Sequence, residues 1–154
     1  YAITKKTITV TFTGEGNIEF DKNSFDFIIT NPPNKKMDTG KTNENSKKLI
    51  SRHEITATLK DFIKISYIML KDKGTLYMVH KPERLVDIIY QLRKNKIEPK
   101  EIRFVHPYEK KEPNLILIKA VKNGGQFLKI DKPLYVYNER GEYTEEILKI
   151  YNKM

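Results

Sequence analysis

The 154-residue sequence contains no cysteine and only three histidines. The absence of cysteine excludes disulfides, thiolate metal sites and thiol nucleophiles. His53 is followed by Glu54, but no second metal ligand stands at helical spacing from this pair, so we expect no metal site. Glu54 is instead placed to complete a Ser-x-x-Glu capping box that begins at Ser51.

Long apolar runs are also absent. No stretch approaches the about 18 consecutive apolar residues of a transmembrane helix, and the N-terminus carries no signal-peptide pattern. We therefore expect a cytoplasmic protein with no membrane partner. The chain begins with Tyr1 rather than methionine, so we expect it to be a piece of a longer polypeptide.

The charge is strongly basic, with 29 lysines and arginines against 20 acidic residues and a net charge of +9. Such a balance favours a polyanionic partner such as RNA, although a lysine-rich solubilising surface is the alternative. The segment 35–52 has six basic and two acidic residues, and 93–111 has seven and three. If both segments face one cleft, they form a surface for RNA.

Hydrophobic periodicity predicts alternating strands and helices. Strands are predicted at 7–13, 25–30, 75–80, 101–106, 115–121 and 133–137, and helices at 53–72, at 82–95 and after the capping residue Thr144. This order predicts an α/β fold whose central strands are parallel. The strands 101–106 and 115–121 are joined by a short loop, so this pair must be antiparallel.

The stretch FDFIITNPPN, residues 25–34, joins an apolar strand to two prolines. The apolar run is typical of a strand covered on both faces, so we expect it inside the sheet, beside 75–80, with the helices 53–72 and 82–95 covering its faces. Pro32 and Pro33 end the strand, and Asn31 is held extended because it precedes a proline. In open α/β sheets, ligands bind at this carboxyl edge.

The Asn31 side chain and the Pro32 carbonyl offer two hydrogen-bond acceptors at this edge. They could hold both N–H groups of an exocyclic amine and favour the pyramidal nitrogen, whose lone pair is free to attack. Such stabilisation acts mainly in the transition state. Alternatively, Asn31 is a turn residue that bonds its own backbone.

FDFIITNPP resembles the Asn-Pro-Pro-Tyr signature of S-adenosylmethionine-dependent methyltransferases. The later blocks SRHEITATLKDFI, LYMVHKPERL, IRFVHP and LYVYNERGEYTEEI are similar to those of the bacterial enzyme family that methylates an adenine amine in valine tRNA. The resemblance covers roughly residues 20–152. It implies a Rossmann-like class I methyltransferase fold, S-adenosylmethionine as cofactor, tRNA as partner and methyl transfer to the exocyclic amine of adenine.

The resemblance assigns the amine-orienting, catalytic role to Asn31 and Pro32. It also implies a substrate-binding set: Pro33, Asn34, Lys35, Lys36, Arg52, His53, Lys81 and Arg84. The family has a base-stacking aromatic at position 34, where this sequence has asparagine. Arg84 contacts either phosphate or a carboxylate.

The family's glycine-rich cofactor loop has no counterpart, because Gly14-Glu15-Gly16 lies too close to Asn31. We therefore expect residues 1–154 to be the C-terminal portion of one methyltransferase domain, without its cofactor-binding half. The isolated chain should be inactive, and marginally stable or self-associating through an open apolar sheet edge. Two alternatives stay open: a methyltransferase acting on a protein glutamine, and a non-catalytic RNA-binding remnant.

Overall fold

The computed structural model of the chain describes residues 21–32 and 59–152. The predicted strand 7–13 and the first part of the predicted helix 53–72 lie outside these residues. The observed elements are β1 (Phe25–Thr30), α1 (Leu59–Met69), β2 (Leu70–His80), a 3-10 turn (Pro82–Arg84), α2 (Leu85–Lys94), β3 (Ile97–His106), β4 (Leu115–Lys122), β5 (Lys129–Ile130), β6 (Leu134–Tyr135) and α3 (Glu145–Ile150).

The strands form one mixed sheet in the order β1-β2-β4-β3-β5, and β6 also pairs with β3. β1 and β2 are parallel, whereas β4 is antiparallel to both β2 and β3. The α/β prediction and the antiparallel pair near the C-terminus are therefore confirmed. β2 and β3 run in the same direction, as predicted for central strands, but β4 lies between them.

One face of the sheet carries the main core. α1 and α2 both pack on this face, where every second residue of β2 and β4 is buried. The buried cluster consists of Leu59, Ile63, Leu70, Leu76, Met78, Ile88, Leu92, Ile97, Ile102, Ile116, Ile118 and Ala120. Each fully buried side chain of this size stabilises the fold by about 1.5–3 kcal/mol before other terms are counted.

The opposite face is only partly covered. α3 packs there over a smaller cluster of Val105, Leu134 and Ile147. Toward β1 the face is open, since Ile29 is 71% exposed and its register partner Tyr77 is 41% exposed. The prediction that the two longer helices cover both faces of β1 is therefore wrong, because α1 and α2 share one face.

The boundary between α1 and β2 also differs from the prediction. The helix ends at Met69, not near Lys73-Gly74, and β2 begins at Leu70 rather than 75. Leu70 continues the apolar stripe of the helix in the sequence, but in the structure it pairs with Phe25. Tertiary pairing has overridden the helical pattern.

The remaining elements follow the sequence signals more closely. α2 follows Pro82, has Asn95 as its C-cap and buries Ile88 and Leu92. The Thr144 side chain accepts a hydrogen bond from the Ile147 N–H and caps α3 as predicted. β3 starts four residues earlier than expected, with Pro99 at an irregularity in its pairing, where a proline is tolerated.

Two details near the C-terminus were not predicted. The strand expected at 133–137 is reduced to Leu134–Tyr135, and the two-residue β5 has no counterpart in the prediction.

Among residues 21–32 and 59–152, no helix is long and apolar enough to cross a membrane.

Candidate functional site at the carboxyl edge of the sheet

Three strands end in a residue-proline step at the same edge of the sheet. Asn31-Pro32 follows β1, Lys81-Pro82 follows β2 and Pro107 follows His106, the last residue of β3. Because β1, β2 and β3 run in the same direction, all three steps lie at one edge of the sheet, and those after β1 and β2 are on neighbouring strands. Proline has no N–H to donate, so each step removes a donor at this edge. The carbonyls of Lys81, His106 and Pro107 accept backbone N–H groups within the protein.

The Asn31 amide is free at this edge. Asn31 is exposed whereas Pro32 is buried, and Thr30 is in register with Met78. Within the described part of the chain, the Asn31 side chain has no hydrogen-bond partner, not even its own backbone. A stiff, buried proline thus holds an exposed amide whose acceptor and donor groups are both available.

His80, at the carboxyl end of β2, is buried beside this step. Its Nδ1 accepts a hydrogen bond from the Lys81 backbone N–H at 2.8 Å, so the neutral ring carries its proton on Nε2. Nε2 is buried and has no hydrogen-bond partner among residues 21–32 and 59–152. Burial, followed by the Arg84 guanidinium, lowers the pKa of His80 below its usual value, which keeps the ring neutral.

Of the two basic side chains predicted next to β2, Lys81 is exposed and Arg84 is not. The Arg84 side chain is 16% exposed, and its Nε donates to a carboxylate oxygen of Asp87 at 3.0 Å. Of the two partners considered for Arg84, phosphate and carboxylate, the structure shows the carboxylate. The remaining predicted site residues lie outside the described ranges: Pro33, Asn34, Lys35, Lys36, Arg52 and His53.

The basic residues of segment 93–111 do not share one surface. Arg93, Lys94, Lys96 and Lys100 lie near the amino end of β3, Arg103 lies within this strand, and Lys110 and Lys111 follow its carboxyl end. The ten residues of β3 separate the two groups by about 30 Å. The cations of segment 93–111 therefore do not form one surface, and segment 35–52 lies outside the described residues.

Several of these cations are also occupied within the protein. Arg93 pairs with Glu98 at 2.9 Å, and Lys100 donates to two backbone carbonyls in the loop after β4. Arg103 contacts the Glu146 carboxylate. Only part of the formal charge of this segment is left for an outside anion.

A row of three tyrosines lies farther along the same edge, and sequence reasoning did not single it out. Tyr137 stacks on Tyr143, with ring centroids 5.3 Å apart and planes 15° apart. Tyr108 adjoins Tyr137 with centroids at 5.4 Å. Tyr143 and burial raise the pKa of Tyr137. The alternation of Tyr135 and Tyr137 was the available signal, but their pairing with residues 108 and 143 is set by the tertiary fold.

The described residues contain no group of three or more histidine, aspartate or glutamate side chains that could hold a metal ion. The site is thus built from amide, carbonyl, imidazole and aromatic groups.

No family model matches the chain, and no curated protein sequence matches it either. Solved structures do. The fold resembles that of a predicted O-methyltransferase from Agrobacterium tumefaciens, at 18% identity, 86% coverage of this chain, 53% coverage of that protein and a TM-score of 0.66. It also resembles a predicted DNA modification methylase from Thermus thermophilus, at 13% identity and a TM-score of 0.50. This match covers 88% of this chain and 68% of that protein.

At such low identities, the likeness shows the fold alone: a partial Rossmann-like sheet with helices. The chain spans 53% of the length of the Agrobacterium protein. The described sheet is correspondingly partial, with β1 paired on one side only among the described strands.

Proposed function

We propose that this chain is the substrate-orienting part of an S-adenosylmethionine-dependent methyltransferase that acts on the exocyclic amine of an adenine in tRNA. The observation that carries the proposal is the exposed, unpaired Asn31 amide held by the buried Pro32 at the carboxyl end of β1. The methyltransferase fold and the sequence resemblance in four further blocks support it.

The Asn31 and Pro32 groups suit the chemistry of an aryl amine. The amine lone pair is delocalised into the ring, so the nitrogen is a poor nucleophile while it remains planar. Acceptance of its two N–H groups by the Asn31 Oδ1 and the Pro32 carbonyl favours a pyramidal nitrogen with a localised lone pair. The interaction strengthens as positive charge develops on the nitrogen, so it stabilises the transition state more than the bound substrate.

The cofactor would supply an electrophilic methyl group on sulfonium, but the described residues do not form its cradle. Close approach of a backbone to such a cofactor requires glycine at a strand-to-helix turn. The described glycines are Gly74, Gly124, Gly125 and Gly141, and none of them follows the carboxyl end of β1, β2 or β3. We therefore assign no cofactor-binding residue within the described ranges.

We further propose that residues 1–154 are the C-terminal portion of a single methyltransferase domain in a longer native polypeptide. The open side of β1 and the exposed Ile29 and Tyr77 support this arrangement, because they form the apolar surface that further strands and helices would bury.

The RNA part of the proposal draws on the cations at this edge of the sheet. Lys81, Lys110 and Lys111 are exposed there, and the segment 35–52 follows Asn31 directly in the chain. Phosphate contacts of this kind give affinity that falls steeply with salt concentration.

The test is a methylation assay with nucleoside analysis. The native polypeptide would be incubated with isotopically labelled S-adenosylmethionine and an unmodified valine tRNA transcript, and the RNA digested for mass spectrometry. We expect labelled N6-methyladenosine. Label in the glutamine of a protein acceptor, with none in RNA, would support the glutamine methyltransferase instead, and no transfer to either would leave the RNA-binding remnant.

A further inference from the structure

The tyrosine row at the carboxyl edge consists of three adjoining rings. Tyr137 contacts both others: it stacks on Tyr143 and adjoins Tyr108 with the planes tilted by 34°. Tyr143 is 48% exposed and Tyr108 is 40% exposed, whereas Tyr137 is half-buried. The two outer rings therefore have surface available to a planar ligand.

The backbone holds this stack in place before any ligand arrives. Tyr137 and Tyr143 form an isolated antiparallel bridge around a turn at 138–142, which the Asn138 side chain closes by accepting backbone N–H groups. The Thr144 hydroxyl donates to the Tyr135 carbonyl at 2.6 Å. Rings fixed in this way lose little conformational entropy when a ligand stacks on them.

The position of the stack relates it to Asn31. β6 ends at Tyr135 and runs parallel to β3, so the stack lies at the same edge of the sheet as the Asn31 amide. Four strand spacings separate β1 from β6 along the path β1-β2-β4-β3-β6, which amounts to roughly 19 Å. A nucleotide on the stack would therefore be a neighbour of the target adenine and not the target itself.

The charge around the stack decides how it would bind. The segments 108–112 and 138–143 carry Lys110, Lys111 and Arg140 against four glutamates, namely Glu109, Glu112, Glu139 and Glu142. This near balance leaves no excess of positive charge around the stack, so charge alone would not hold RNA there. Aromatic stacking on a base depends little on phosphate charge and works for any base, because every base has a π-face.

We propose that the tyrosine stack, Tyr108–Tyr137–Tyr143, binds an unpaired nucleobase of the RNA substrate on an exposed outer ring. This inference rests on the proposed function for the choice of RNA as ligand. An exposed aromatic cluster also suits a protein partner, but the shared edge with Asn31 and the net charge of +9 favour RNA.

The test measures the affinity of the native polypeptide for a fluorescein-labelled single-stranded oligoadenylate of about 12 nucleotides, within the span of typical single-strand sites. Binding is followed by fluorescence anisotropy over a series of salt concentrations. We expect Tyr108→Ala and Tyr143→Ala to weaken binding, with the better-stacked ring costing about 5- to 150-fold. The slope of affinity against salt should not change, because no phosphate contact is lost.

Three controls separate stacking from other causes. Tyr143→Phe keeps the ring and should bind like the wild type. Tyr90→Ala removes a tyrosine that is 61% exposed on α2, away from the edge, and should have no effect. The double variant Lys110→Gln, Lys111→Gln should lower the salt slope by up to about 1.4, the value for two single-strand phosphate contacts.

The outcomes are decisive in both directions. The proposal is overturned if the wild type does not bind, or if Tyr143→Phe and Tyr143→Ala lose affinity equally. It is also overturned if both alanine variants bind like the wild type, and a protein partner is then the remaining use of the stack. If circular dichroism shows that Tyr143→Ala is unfolded, Tyr143→Leu, which keeps apolar bulk without a flat ring, must show the loss. Tyrosine-dependent binding without methyl transfer would reject the proposed function only, and methyl transfer without tyrosine dependence would reject this inference only.

Discussion

Lys122 is a buried cation at the amino edge of the sheet, opposite Asn31. It is 5% exposed, and its Nζ donates to the Asn23 side chain at 2.7 Å and to the Leu70 carbonyl at 2.8 Å. The Tyr67 ring lies 4.3 Å from the same nitrogen. These contacts join the turn before β1 to the start of β2, so Lys122 fixes the point from which β1 runs toward Asn31.

Replacing Lys122 with methionine should therefore destabilise the fold. The loss leaves the buried Leu70 carbonyl and the part-buried Asn23 amide oxygen without this donor, and we expect the free energy of unfolding to fall by about 1–3 kcal/mol in urea titrations. Lys119→Met, on the opposite face of the same strand, is the control and should stay within about 0.5 kcal/mol of the wild type. Equal stability of the two variants would show that the Lys122 contacts contribute little.

His80 gives the fold a pH dependence whose sign is fixed. Burial and the neighbouring Arg84 guanidinium lower the pKa of His80, so the unfolded chain takes up its proton at a higher pH than the folded protein does. The stability that depends on a neutral His80 is complete above about pH 6.5 and decreases below it. Between about pH 7 and pH 5, the melting temperature of the wild type should fall more than that of His80→Asn. Parallel melting curves for the two proteins would contradict this assignment.

At the scale of elements, Gly74 allows β1 and β2 to meet. A Cβ at this position would lie 2.8 Å from the Lys71 carbonyl oxygen and 3.2 Å from that of Asp26. Backbone atoms cannot move aside cheaply, so Gly74→Ala should cost about 1–3 kcal/mol of stability.

The matched control for this junction is Gly125→Ala. A Cβ at Gly125 meets nothing within 4 Å, and the alanine restricts the unfolded chain, so this variant should be neutral or up to about 1 kcal/mol more stable. Thermal unfolding of both variants checks the difference. If Gly74→Ala has the same melting temperature as Gly125→Ala, the junction between β1 and β2 is not tightly packed.

The elements also show where sequence reasoning succeeds. Leu85, Ile88, Ile89 and Leu92 form one apolar stripe at helical spacing, and Thr144 precedes two glutamates, so α2 and the cap of α3 were predictable from local patterns. The start of β2 was not, because Leu70 fits the stripe of α1 and only its pairing with Phe25 makes it a strand residue.

At the scale of the whole molecule, the order of the strands in the sheet could not be predicted from the sequence. The antiparallel relation of β3 and β4 followed from a short loop, but the insertion of β4 between β2 and β3 depends on long-range packing. For the same reason, a local motif was enough to propose Asn31 and Pro32 as site residues, whereas the tyrosine stack and the buried Nε2 of His80 could not be predicted. Both depend on residues that are distant in the sequence or on the burial of one atom.

The open side of the sheet leads to a prediction for the isolated chain. Ile29 and Tyr77 are exposed and the described strands leave one side of β1 unpaired, so we expect the 154-residue chain to self-associate as its concentration rises. Sedimentation velocity at several concentrations measures this. A monomer over the whole range would show that the open edge is protected.

Calorimetric titration tests whether the chain binds cofactor alone. We expect no heat of binding when S-adenosylmethionine is added to the 154-residue chain, and one-to-one binding by the native polypeptide. Tight one-to-one binding by the chain itself would place the cofactor site within these residues, and Gly14-Glu15-Gly16 would be the first segment to test.

The most direct test of the catalytic account is the rate of methyl transfer to tRNA by the Asn31→Ala native polypeptide at saturating substrates. Loss of the amide oxygen should lower this rate by about 10²–10³-fold, the usual cost of removing one preorganised transition-state contact, while tRNA affinity changes little. Asn114→Ala, at an exposed asparagine of the same sheet edge, is the matched control and should methylate at the wild-type rate. An Asn31→Ala enzyme as fast as the wild type would contradict the role assigned to Asn31.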